Sequence, residues 1–152
     1  SQHMIKKLLY LCCCVSISTL SYANDLTGLW KTVDDKTGYS RADVEITKSA
    51  DGSYSGKIIT IRPLPDKPLE PLCLNCKGNL KNKPYVGLQI ISGFRQNPDN
   101  PNEYINGNVL DPLSGKIYKG KAKVNAKNTR LSMRGYIGVS MLGRSVTWIR
   151  MN

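Results

Sequence analysis

The stretch ADVEITK (Ala42–Lys48) alternates without a break: Ala42, Val44 and Ile46 fall on one face of an extended chain, Asp43, Glu45 and Thr47 on the other. Successive side chains of a strand point to opposite faces, so this pattern predicts a half-buried β-strand with its two carboxylates on the solvent side. Working outward, short β-rich runs separated by Gly, Asn, Asp and Pro recur along the chain, and helical spacing of apolar residues is not found after Ala23. Further strands are expected near Leu26–Thr32, Tyr54–Arg62, Val86–Arg95, Glu103–Leu110, Lys116–Asn125, Thr129–Gly138 and Arg144–Met151. Between them, ADG (Ala50–Gly52) and DPLSG (Asp111–Gly115) carry hairpin chemistry, with Gly free to take positive φ and Pro holding a preset one. About eight antiparallel strands with short connections make an all-β protein, either an up-and-down barrel or a sandwich. Closure into a barrel would remove the exposed edges.

The N-terminal part reads as an address. Ser1–His3 precede Met4 and read as a remnant of cloning. Residues 4–23 have the form of a secretory signal peptide: Lys6 and Lys7 are basic, the 13 residues Leu8–Leu20 are apolar, and Ser21-Tyr22-Ala23 supply small residues for cleavage after Ala23. The apolar run is shorter than the roughly 20 residues a spanning helix needs. Tyr10 and Leu11 before Cys12 do not make the small-residue signal of a lipoprotein. The expectation is a periplasmic or secreted protein whose residues 24–152 form one domain.

Of the five cysteines, Cys12, Cys13 and Cys14 belong to that leader, which leaves Cys73 and Cys76 in PLEPLCLNCKGNLKNKP (Pro68–Pro84). A zinc site wants four ligands, and the one histidine, His3, lies in the cloning remnant. A thioredoxin-like pair opens a helix, whereas this one lies among Pro63, Pro65, Pro68, Pro71 and Pro84. In an oxidising compartment two neighbouring cysteines without other partners should bridge each other. A Cys73–Cys76 disulfide, no metal and no cofactor are expected.

TGLWK places Gly28 and Trp30 on the first strand, and GRSVTWIRM places Arg144, Trp148 and Arg150 on the last. This pairing resembles the lipocalins and their calycin relatives. The resemblance implies that Gly28 and Trp30 close one end of a barrel and that a basic residue, Arg150 or failing that Arg144, lies over the indole. Without it, Trp30 and Trp148 would serve as two core aromatics of a sandwich. TGLWKT, CLNCKG leading to VGLQIISGF, DPLSGKIYKG, LSMRGYIG and GRSVTWIR, taken in order, also resemble the bacterial exported family known as domain of unknown function 2147. That resemblance implies a small lipocalin-like barrel and no established reaction.

Without the leader, Lys6 and Lys7 are lost from the 22 basic residues, leaving 20 against 11 acidic ones. The excess concentrates after Asp111, where Lys116, Lys119, Lys121, Lys123, Lys127, Arg130, Arg134, Arg144 and Arg150 stand against Asp111 alone. Such a face suits an anionic envelope surface or an acidic ligand. Few aromatics interleave it, which argues against nucleic acid. Equally, Lys119, Lys121 and Lys123 alternating with Gly120, Ala122 and Val124 describe a solvated strand face. With no histidine after His3, Ser-His and Cys-His nucleophiles are excluded from the domain. Asp34 and Asp35 sit in a turn-like stretch, and Asp43 and Glu45 share a polar strand face, so no carboxylate pair stands out as catalytic. The expectation is a monomeric binding module, not an enzyme, for a small amphipathic or anionic ligand. The alternative is an envelope interaction protein using its basic C-terminal face. Arg134 and Tyr136, two residues apart in MRGYIG, with Arg144 across a hairpin, are the candidate anion receptor. Against them, Leu131, Met133 and Ile137 form the more apolar face of the same strand and would send Arg134 to solvent.

Overall fold

The structure is a computed structural model, and it describes residues 25–34, 37–66, 70–136 and 145–151. Eight strands follow one another: β1 (Gly28–Val33), β2 (Ala42–Lys48), β3 (Tyr54–Ile61), β4 (Gln89–Asn97), β5 (Asn100–Leu110), β6 (Ile117–Val124), β7 (Arg130–Tyr136) and β8 (Ser145–Arg150). Each pairs antiparallel with the next, and β8 pairs back onto β1 with Arg150 opposite Trp30 and Trp148 opposite Thr32. The up-and-down barrel is therefore closed, and no strand leaves an unpaired edge.

The alternation in β2 holds on its inner face, where Val44 and Ile46 are buried. Its outer face departs from expectation at Asp43, which is only 7% exposed. Arg62, just past β3, lies over it and donates to both carboxylate oxygens at 2.6 and 2.9 Å, and to the Ser40 hydroxyl as well. A two-point pair of this kind satisfies a carboxylate that water no longer reaches. Asp43 is therefore a structural anchor and not half of a surface pair with Glu45. Beside it the β2–β3 register slips, and β3 carries one residue more than its partner. This bulge reverses the phase of β3, so Ile61 turns inward where simple alternation from Ile58 would have placed Thr60.

The interior is filled unevenly. At the end where β1 begins, Trp30, Tyr54, Phe94 and Tyr104 are fully buried, with Tyr54 and Tyr104 packed edge to face at 5.3 Å. The Trp30 indole N–H donates to the Leu26 carbonyl at 2.9 Å, which seats the ring across that end. At the other end the strands give way to the long segment between β3 and β4. There a bridge between Leu72 and Pro84 and a single 3₁₀ turn at Gly78–Leu80 fold the proline-rich chain back on itself.

Candidate functional site at the open end of the barrel

Two ends of one barrel have different chemistry. The first is sealed by Arg150, whose guanidinium carbon lies 4.2 Å from the centroid of the Trp30 ring. Its three nitrogens donate to the carbonyls of Asn128, Thr27 and Asp25 at 2.7, 2.6 and 2.7 Å. Gly28, with φ +127°, passes beneath: a Cβ there would lie 2.7 Å from an Arg150 nitrogen. Burial lowers the pKa of this guanidinium, opposed by the nearby Asp25 carboxylate. Of the two arginines that compete for the indole, Arg144 lies outside the described residues.

The second end holds a cavity of about 280 Å³. Its walls are apolar, with Ile58, Ile61, Ile90, Met133, Val146 and Trp148 contributing from four different strands. Its polar lining comes from the rim, from Arg41 and Asp34 beside β2 and β1, Asp111 at the end of β5, Tyr85, and Tyr118 on β6. Burial raises the pKa of the Tyr85 phenol, and the Arg41 charge acts in the opposite direction. Arg41 is half-buried, and its guanidinium has no hydrogen-bond or ion-pair partner among the described residues.

The disulfide belongs to this end. Cys73 and Cys76 are bonded to each other and buried, and Cys73 Sγ lies 3.4 Å from the Pro112 carbonyl oxygen. The Asn75 side chain between them donates to the Leu113 carbonyl at 2.7 Å, and the Tyr85 hydroxyl donates to Pro112 at 3.3 Å. Gly115, at φ +73°, runs so close beneath Asn75 that no Cβ would fit. The receiving β5–β6 turn is itself held by Asp111, which accepts from the Leu113 amide and the Ser114 hydroxyl. The staple thus shapes a loop tip and pins it beside the cavity.

Arg134, the centre of the expected anion receptor, does not line the cavity. Arg134 is exposed on the outer wall, opposite Lys121 of β6, while its neighbours Met133 and Gly135 line the cavity. The apolar set Leu131 and Met133 takes the inside of β7, as alternation dictates once the barrel closes around it. Tyr136 pairs through its backbone with Lys119, its side chain lies outside the described residues, and so does Arg144. The residues that do line the mouth are Arg41, Tyr85 and Tyr118. A signal for Tyr118 was present: if Lys119, Lys121 and Lys123 face out, alternation turns Tyr118 in with Gly120. None marked Arg41, which precedes β2 where the chain curls over the rim.

A closed eight-stranded antiparallel barrel, sealed at one end by an arginine over a tryptophan and hollow at the other, is a lipocalin-like barrel. The family model described as an uncharacterized protein conserved in bacteria, DUF2147, matches residues 28–150, and the chain belongs to that family. Solved structures that resemble it include protein HP1028 of the human pathogen Helicobacter pylori, described as belonging to the lipocalin family. It shares 19% identity, with 84% of each chain covered and a TM-score of 0.67. At that identity the likeness concerns the fold. No curated protein matches the chain. Barrels of this kind ordinarily bind small ligands.

Proposed function

We propose that the protein is an exported binding protein that holds a small amphipathic or anionic molecule at the open end of its barrel. One observation carries this reading: the aromatic side chains fill the sealed end and leave about 280 Å³ unfilled at the other, walled by apolar groups with a few polar ones at the rim. That division of labour suits a ligand whose body is buried and whose head is fixed near solvent. The signal-like residues 4–23 and the disulfide support an oxidising, extracytoplasmic location. Native mass spectrometry of protein taken from its own cell envelope tests the reading. A retained small molecule is expected, and Ile61→Trp, which fills the cavity, should abolish it. Absence of any added mass from the unaltered protein, together with no gain when candidate amphiphiles are supplied, would refute it.

A second reading draws on a specific feature of the outer wall. Lys121 and Arg134 stand directly opposite each other on β6 and β7, with Lys119, Lys123 and Arg130 exposed nearby and Glu103 opposite Lys123. Like charges in register oppose folding, and an anionic envelope surface would relieve them. Co-sedimentation with anionic but not zwitterionic vesicles supports this role, and equal behaviour with both counts against it.

A further inference from the structure

We infer that Arg41 receives the charged end of the ligand, and that the ligand is a small apolar monocarboxylate. This rests on the reading that the open end of the barrel is a binding cavity. Six arginines lie among the described residues, and five are accounted for. Arg62 is held by Asp43 and Ser40, Arg95 by Asp51, and Arg150 by three carbonyls and the Trp30 ring. Arg130 and Arg134 are exposed on the outer wall. Arg41 alone of these lines the cavity, half-buried and without a side-chain partner among the described residues.

A guanidinium stays charged at any working pH, so drawing it partly out of water without a partner costs free energy that a bound anion would recover. Its planar fork of donors matches a carboxylate in two-point contact. The Tyr118 hydroxyl, on the same lining, also makes no hydrogen bond to the described protein and can add a donor. Two carboxylates share the rim, and they narrow the choice of ligand. Asp111 uses both oxygens on its own turn, accepting from the Leu113 amide and the Ser114 hydroxyl, and Asp34 accepts from the Thr37 amide. The Asp111 carboxylate on this rim disfavours a second negative charge on a ligand and leaves Arg41 as the place where one is welcome. The apolar walls set the body. At ~30 Å³ per water-sized unit the cavity admits roughly nine such units, the bulk of a chain of about eight to ten carbons.

The test uses decanoate, decanol and decylamine with the unaltered protein and with Arg41→Ala, Arg41→Gln and Arg134→Ala, followed by Trp148 fluorescence and calorimetry. Circular dichroism checks that each variant is folded, and Arg41→Gln keeps the bulk and polarity while removing the charge. Decanoate should bind the unaltered protein most tightly. Both Arg41 variants should weaken it about 10- to 100-fold, the range a charge-assisted pair supplies, with decanol little changed and Arg134→Ala without effect. Equal affinity for decanoate and decanol overturns the assignment of Arg41 while leaving the cavity reading standing. Tightest binding of decylamine overturns it in favour of Asp34 and Asp111. Failure of all three probes to bind removes the cavity reading, and this inference with it.

Discussion

Arg150 lies across the ring of Trp30 with its guanidinium carbon 4.2 Å from the centroid, on the two strands whose pairing closes the barrel. The contact is more than a cation over an aromatic face. All three of its nitrogens are used on backbone carbonyls from residues 25, 27 and 128, so one side chain ties the entry to β1 and the β6–β7 turn to β8. Arg150→Ala should therefore cost about 3 kcal/mol in urea denaturation, because it removes the stack and leaves buried carbonyls unpaired. Arg150→Lys should recover about half, since an ammonium cannot reach three divergent acceptors. Equal stability of the lysine variant and the unaltered protein would show that charge alone matters there.

The same end contains a group without a partner. The Tyr104 hydroxyl is buried and makes no hydrogen bond among the described residues. Burial, followed by the neighbouring Tyr54 and Asp25, pushes its pKa up to about 12. The folded value lies above the ordinary value of about 10, so folding favours the neutral phenol. The associated stability is present below pH 10 and is lost as pH rises from about 10 to about 12. Tyr104→Phe should flatten that alkaline loss in urea titrations and add about 1 kcal/mol at neutral pH, because it deletes an unsatisfied buried group. A destabilised phenylalanine variant would mean that the hydroxyl has a partner after all.

The strands and the sealed end were legible because both are written in local pattern. Period-two alternation marks β2 and β6, and Gly28, Trp30 and Arg150 stand at the two chain ends that a closed barrel must join. Asp43 was misplaced because its burial comes from Arg62, nineteen residues away, which local alternation cannot register. A similar limit holds at Ile61: one extra residue in β3 reverses which side chains face inward, and nothing in YSGKIITI announces it. The mouth was the least legible region. Arg41 lies just before a strand, and Tyr85 lies in the proline-rich loop and is held against the β5–β6 turn by its bond to Pro112. Arg134 drew attention because its charge sits near a tyrosine in sequence, but alternation with Leu131 and Met133 had already assigned it to the outer wall.

On that outer wall, Lys121 and Arg134 face each other across β6 and β7. A directly opposed like-charge pair is unfavourable and an opposite-charge pair contributes roughly 0.2–1 kcal/mol, so Lys121→Glu should raise stability by about 1 kcal/mol at low salt. The gain should shrink as ionic strength rises, because both groups are exposed and screened. Thermal melts at two salt concentrations check both statements. If the wall serves an anionic surface, the same substitution should weaken vesicle binding, and a variant that is more stable yet binds as before would separate the two roles.

The disulfide between Cys73 and Cys76 closes a ring of only a few residues, and its effect should be local. The chain-entropy relation gives at most about 2 kcal/mol for so short a loop, far less than a long-range bridge would supply. Cys73→Ser with Cys76→Ser should therefore leave the barrel folded and lower its stability by about that amount or less. The larger consequence should appear at the mouth. Without the bond, the tip loses the geometry that aims Asn75 at Leu113 and holds Cys73 against Pro112, so amide exchange should quicken across residues 70–88 while the strands stay protected. Loss of the whole fold in the double serine variant would contradict this local role. Thiol titration of protein recovered from the cell envelope supplies the companion measurement: the proposed oxidising location predicts no free thiol, and two free thiols there would argue against that location.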